Sequence, residues 1–258
     1  MPKYIASFLI LILCSGVFAQ VNKERLPEIV EGEASMMLSS AHDSNECTIS
    51  YAHYRESWPK YKETMNGMIH RFVQVNTAFD YDTSRHDALS PSFYRSQLDS
   101  MQALFDEELE FNEESSAWSL DMQIAIDDEK ERFATLILSS YAYTGGAHGN
   151  WGTSFIHIDR KSGKELSLED FFVDINQLND IAEPFFRKEY DLSPEEDLEQ
   201  AGYWFEDAVF SVNNNFAFEG KDLVFLYGLY EIAPYASGTL ELRIPLKEVE
   251  HLVLIPVH

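Results

Sequence analysis

Two short stretches carry the residues whose types and spacing could do chemistry. The first is YAYTGGAHGNWG, residues 141–152, where His148 stands in a glycine-rich bend. The second is YEIAPYASG, residues 230–238, where Glu231 lies among apolar neighbours between Tyr230 and Tyr235. An imidazole and a carboxylate can serve acid–base hydrolysis or metal-assisted chemistry if they converge in a pocket that tunes them. Little else in the sequence supports that use. No G-x-S-x-G elbow marks a serine nucleophile, and Cys47 has no compelling partner. His148 and His157 flank a strand-like stretch, yet no H-E-x-x-H and no Cys/His cluster accompanies them. No catalytic residue, metal ligand or cofactor is therefore assigned.

The competing reading of His148 is structural: glycines permit positive φ, and the imidazole bonds a backbone carbonyl to hold the loop. Tyr230 and Tyr235 either line a concave surface or cap a core with their hydroxyls satisfied. Glu231, if buried, needs a partner, which His148 or Arg243 could supply. The candidate binding set is thus Thr144, Gly145, Gly146, His148 and Asn150 on the first bend, with Tyr230, Glu231 and Tyr235 on the second.

Composition narrows the setting. Lys3, the apolar run Ile5–Leu13 and the small residues of Val17-Phe18-Ala19 predict a removable signal peptide over residues 1–19. That apolar run is too short to span a bilayer. The alternative, a lipoprotein acylated at Cys14, is disfavoured by bulky Leu13 just before the cysteine. Either way the chain is expected to be exported, to a periplasm or beyond. With Cys47 the one remaining cysteine, no internal disulfide can form, so an ordinary hydrophobic core must hold the fold. Nineteen basic against 44 acidic residues give a net charge of −25. That balance excludes nucleic acid, offers nothing to anionic lipid, and would steer cationic partners.

Periodicity places these residues on elements. Cys47–Tyr54 alternates as a strand. The spacing of Trp58, Tyr61, Met65, Ile69 and Val73 predicts a helix with Pro59 in its first turn, and Ser90-Pro91 caps a second helix. Trp118–Ile126 and Glu131–Tyr143 form an antiparallel hairpin, the second strand apolar on both faces and so central. Further strands are expected at Ser154–Asp159, Leu223–Tyr227 and Thr239–Pro245, and a helix over 175–190 broken or kinked at Pro184. Residues 20–45 look like a polar leader running into a first strand. The class is α+β: an antiparallel sheet with helices packed on one side, in two closely associated subdomains.

YTGGAHGN, GKELSLEDFF and YEIAPYASG, in that order, resemble the RsiV-like domain of unknown function. That domain is the extracellular part of a lysozyme-sensing anti-sigma factor and an accessory module of some peptidoglycan deacetylases. The resemblance covers roughly residues 45–255, with 20–115 as a helix-rich N-terminal part and 116–258 as the RsiV-like part. It implies a cell-envelope binding protein whose partner is a cationic protein such as lysozyme, or a cell-wall glycan. An envelope hydrolase using His148 and Glu231 is the rival. No transmembrane segment accompanies the domain in this sequence, and the oligomeric state is left open.

Overall fold

The computed structural model describes residues 29–78 and 88–257. The expected signal peptide, Cys14 and the start of the expected leader lie outside the described residues. Among the described residues, nine strands and five α-helices form two sheets, each with its own helices, in an α+β arrangement with no barrel.

The larger sheet runs β1-β2-β3-β4-β5-β6, from β1 (Ile29–Ser39) through β2 (Ser44–Tyr54), β3 (Ser119–Asp127), β4 (Phe133–Tyr143) and β5 (Asn150–Asp159) to the two-residue β6 (Glu165–Leu166). All pairs are antiparallel except β2–β3, which is parallel over Cys47–Ser50 against Leu120–Gln123. This departs from the expected wholly antiparallel sheet. The cause is the connection: a chain segment carrying two helices returns the backbone to the same end of the sheet, and only such a crossover allows parallel neighbours.

Those helices are α1 (Lys60–Ala78) and α2 (Pro91–Phe111). Ser90 caps α2 by accepting from the Phe93 N–H at 3.2 Å, with Pro91 at the first helical position. Helix α1 starts one residue after Pro59, and Trp58 is 78% exposed, so neither belongs to the helix as expected. Met65, Ile69 and Val73 of α1 and Leu98, Met101 and Phe105 of α2 bury against Ile49, Leu120, Met122, Ile124, Leu136 and Leu138 on one face of the sheet. Cys47 lies in this core, 1% exposed, and burial pushes its thiol up to about 11, which keeps it unreactive at neutral pH.

The smaller sheet runs β7 (Phe216–Glu219), β8 (Asp222–Tyr227) and β9 (Leu240–Pro245). It packs with α3 (Leu168–Phe171), α4 (Ile175–Glu189) and α5 (Leu246–Val249) around a second core. Ser167 and Asp170 open α3 as a capping box. Helix α4 runs through Pro184 without the break that was one of the two expected outcomes. Leu178, Ala182 and Phe186 anchor one stripe in the core, while Pro184 and Asp180 face outward, so the Asp180 carbonyl that loses its donor can turn to water.

Strand β4 is indeed internal and apolar on both faces. Ala134, Leu136 and Leu138 join the helix-covered core, while Phe133 joins the second core. The two cores meet at an aromatic box. Phe171 is fully buried, with ring centroids 5.0 Å from Phe133, 5.1 Å from His157 and 5.4 Å from both Phe216 and Phe218. Inside it, the His157 Nε2–H donates to the Phe216 carbonyl at 2.9 Å, and Nδ1 accepts from the Thr135 hydroxyl at 2.9 Å. Burial pushes this imidazole down to about 4.

Among the described residues no helix is long and apolar enough to cross a membrane.

Candidate functional site

The larger sheet keeps its second face free of α1 and α2, and register determines what that face presents. Directly opposite residues share a face. Rows across β3, β4 and β5 are therefore Asp121–Tyr141–Trp151, Gln123–Ser139–Thr153, Ala125–Ile137–Phe155 and Asp127–Thr135–His157. The last row is sealed by the aromatic box. Toward the first row the smaller sheet lifts away, and a cleft of about 550 Å³ opens between the sheets. Asp121, Gln123, Ser139, Tyr141, Trp151 and Thr153 form its floor, and Glu219, Val224, Leu226, Thr239, Glu241 and Arg243 form its wall. A second opening of about 530 Å³ shares Gly152, Thr153, Phe155, Leu226 and Thr239 with it and adds Asn213–Asn215, Gly228 and Glu231. The two make one groove.

Three asparagines in a row hold the sheets at this spacing. The Asn215 side chain accepts from the Phe155 N–H at 2.9 Å and donates to the carbonyls of Thr153 at 2.8 Å and Leu226 at 3.0 Å. It thereby stands in for a neighbouring strand along the edge of β5, where β6 pairs only with His157 and Ile158. Asn214 accepts from the Leu168 N–H, and Asn213 donates to the Leu226 carbonyl.

The glycine bend stands at one end of the groove. Gly145 and Gly146 both have φ of +94°, a conformation open to glycine and strained for other residues. Tyr143 donates to the Gly146 carbonyl at 3.2 Å. Gly149 is needed for a different reason: a Cβ there would sit 2.7 Å from two ring carbons and the hydroxyl oxygen of Tyr141. Tyr141 thus lies against bare backbone, which positions it beside Trp151. His148 Nδ1 lies 3.2 Å from the Gly149 carbonyl, which can only accept, so Nδ1 carries the proton. The same carbonyl takes the Tyr235 hydroxyl at 2.6 Å.

The two predicted bends are therefore brought together. The His148 and Tyr235 rings stack with centroids 3.7 Å apart, Trp151 meets Tyr235 edge-on at 5.3 Å, and Tyr230 lies 5.6 Å from Tyr235. Tyr230 has φ of +62° and is 54% exposed, so it does not cap a core. Thr144 and Asn150 are exposed at the two ends of the bend. Glu231 is also exposed, not buried as expected. It receives the Gly228 N–H at 2.6 Å and the Asn213 amide at 2.8 Å, which fastens its own turn, and its partners are neither His148 nor Arg243. His148 lines neither opening, whereas Glu231 lines the second. The histidine and the carboxylate are each tied to local backbone.

Arg243 instead belongs to the wall. It contacts Glu241 at 2.5 Å, Glu219 at 2.7 Å and Asp222 at 4.0 Å. Three carboxylates around one guanidinium leave the wall negative, and Asp121 faces it from the floor. Among the described residues the Asp121 carboxylate has no hydrogen-bonding or ionic partner. No three His, Cys, Asp or Glu side chains among the described residues cluster to hold a metal ion.

The floor and wall residues are what sequence reasoning missed. Asp121 and Gln123 occupy the polar positions of an alternating strand, which is also how any solvent-facing residue looks. The run Asn213-Asn214-Asn215 was the signal available, three turn-forming amides together just before a strand.

Comparison with known proteins agrees with this architecture. Residues 169–247 match the model of a protein family of unknown function, DUF3298. That segment holds most of α3, then α4, the smaller sheet and the second bend, and it starts after the glycine bend. Among curated proteins no sequence matches. Two solved structures share the fold. One, a member of the DUF3298 family from Bacteroides fragilis, is 19% identical, with a TM-score of 0.62 over 88% of this chain and 93% of its own. The other, a DUF3298 family protein from Pseudomonas aeruginosa, is 20% identical, with a TM-score of 0.58 over 89% of this chain and 95% of its own. The chain thus carries a DUF3298 domain match over residues 169–247 within the fold of two solved proteins of that family.

Proposed function

We propose that this chain is an exported, RsiV-like envelope protein that grips a cationic protein, lysozyme being the candidate, in the groove between its sheets, without bond-breaking chemistry. The observation that carries this reading is the charge of the groove. Asp121, Glu219, Glu231 and Glu241 line it against one arginine, and that arginine is already held by carboxylates. The net charge of −25 extends the same field over the surface, which raises the rate of encounter with a basic partner. The leader-like first 19 residues support export, and the RsiV-like resemblance supplies the partner. Residues 116–258 are the RsiV-like part, and residues 20–115 add two strands to its sheet.

A peptidoglycan fragment is the second reading. It is favoured by the half-exposed rings of Tyr141 and Trp151, flat apolar faces of the kind on which sugars stack. Salt separates the two. Calorimetric titration of lysozyme into the purified protein should show binding that weakens about tenfold or more between about 0.02 and 0.3 M salt. No heat and no co-elution at low salt would remove the lysozyme reading. Salt-insensitive binding of a neutral muropeptide in its place would establish the second.

A further inference from the structure

We infer that the open end of the cleft is a guanidinium subsite, in which an arginine side chain of the bound protein lies on the Tyr141 and Trp151 rings and takes the Asp121 carboxylate. This rests on the reading of the groove as a site for a cationic protein. It names the side chain that enters and where.

Three features of the cleft point to arginine. The first is the row Asp121–Tyr141–Trp151, which the register of β3, β4 and β5 sets side by side on one face. Tyr141 is 40% and Trp151 38% exposed, and both line the cleft, so part of each ring is open to a ligand there. An aromatic face attracts a cation, and a flat, weakly hydrated guanidinium stacks there better than a compact ammonium. A carboxylate at the edge of such a platform can take the guanidinium fork with two parallel bonds.

The second is the distribution of charge. On the wall, Glu219 and Glu241 are already engaged by Arg243, at 2.7 and 2.5 Å. On the floor, the Asp121 carboxylate has no partner among the described residues. Asp121 is therefore the carboxylate of the cleft with no cation already beside it, and it stands next to the rings.

The third is rigidity. Tyr141 is seated against Gly149, and Trp151 against Tyr235, whose hydroxyl is bonded to Gly149. A platform whose rings are already placed loses little side-chain freedom when a ligand stacks on it. The cleft volume of about 550 Å³ leaves room for a long side chain and part of its backbone.

The test uses the full exported chain and three blocked peptides of one sequence, carrying arginine, lysine or citrulline at a single position. Citrulline keeps the planar shape and removes the charge. The arginine peptide should bind about tenfold tighter than the citrulline peptide and a few-fold tighter than the lysine peptide. Asp121→Asn should remove most of the arginine advantage over citrulline while leaving the circular dichroism spectrum unchanged. Equal binding of all three peptides, or an arginine preference untouched by Asp121→Asn, would overturn the subsite. Lysozyme titrated in parallel keeps the two claims apart. If lysozyme binds the wild type and Asp121→Asn equally well, the subsite is wrong and the groove reading survives. If lysozyme does not bind but the arginine peptide does, with loss in Asp121→Asn, the subsite stands and the partner named above is wrong.

Discussion

Phe171→Ala is expected to lower the stability to unfolding by about 3–5 kcal/mol, the range for deleting a fully buried aromatic ring. Phe171 is 0% exposed and touches rings from both sheets: Phe133 and His157 on the larger, Phe216 and Phe218 on the smaller. Its loss empties the centre of the box that fixes how the two sheets meet. Urea unfolding followed by circular dichroism measures the loss as a drop in midpoint. Because the same box sets the angle from which the cleft opens, ligand affinity should fall together with stability. A midpoint within experimental error of the wild type would mean that the sheets are held together elsewhere.

Acid should act on the same junction. The His157 imidazole is held at about 4 against an ordinary 6.5, because burial among phenylalanines disfavours its charged form. The folded state therefore keeps it neutral while the unfolded chain takes a proton. Stability from this group is complete above pH 6.5, declines as pH falls from about 6.5 to about 4, and changes no further below that. A shift of this size corresponds to about 3 kcal/mol. His53, buried beside Tyr94, is shifted in the same direction, also by burial, and adds to the slope. The variant His157→Gln keeps a donor for the Phe216 carbonyl and cannot titrate. It should be less stable than the wild type at pH 7 and should lose less stability on going to pH 4.5. Parallel stability-against-pH curves for the two proteins would contradict the assignment.

How much of this was legible in the sequence depended on where each element lies. The β3–β4 hairpin was legible because Leu120, Met122 and Ile124 alternate with polar residues, and β4 because both its faces are apolar. Helices α1 and α2 showed their three-and-four spacing, and Ser90-Pro91 marked a start. Strand β1 did not show itself. It is the edge of the sheet, only Leu38 in it is fully buried, and Glu31 and Glu33 break any apolar rhythm. The parallel pairing of β2 with β3 joins segments about 70 residues apart in sequence, which no local pattern encodes.

The site divided along the same line. The two bends were visible as glycine and proline punctuation, and their meeting through His148 and Tyr235 followed from neither alone. Asp121, Gln123, Glu241 and Arg243 are ordinary polar positions of alternating strands. They become a cleft because a second sheet stands over the first, a relation fixed by Phe171, His157 and Asn215 at a distance from the bends.

The most direct test of the central claim asks which face of the larger sheet holds the partner. Gln123→Trp places a bulky ring on the exposed cleft floor, in a strand position that favours aromatics, and Ser100→Trp places the same ring on the outer face of α2. With both variants folded by circular dichroism, lysozyme affinity measured by calorimetry should fall about tenfold or more for Gln123→Trp and stay at the wild-type value for Ser100→Trp. Undiminished binding by Gln123→Trp, or a loss confined to Ser100→Trp, would contradict the account.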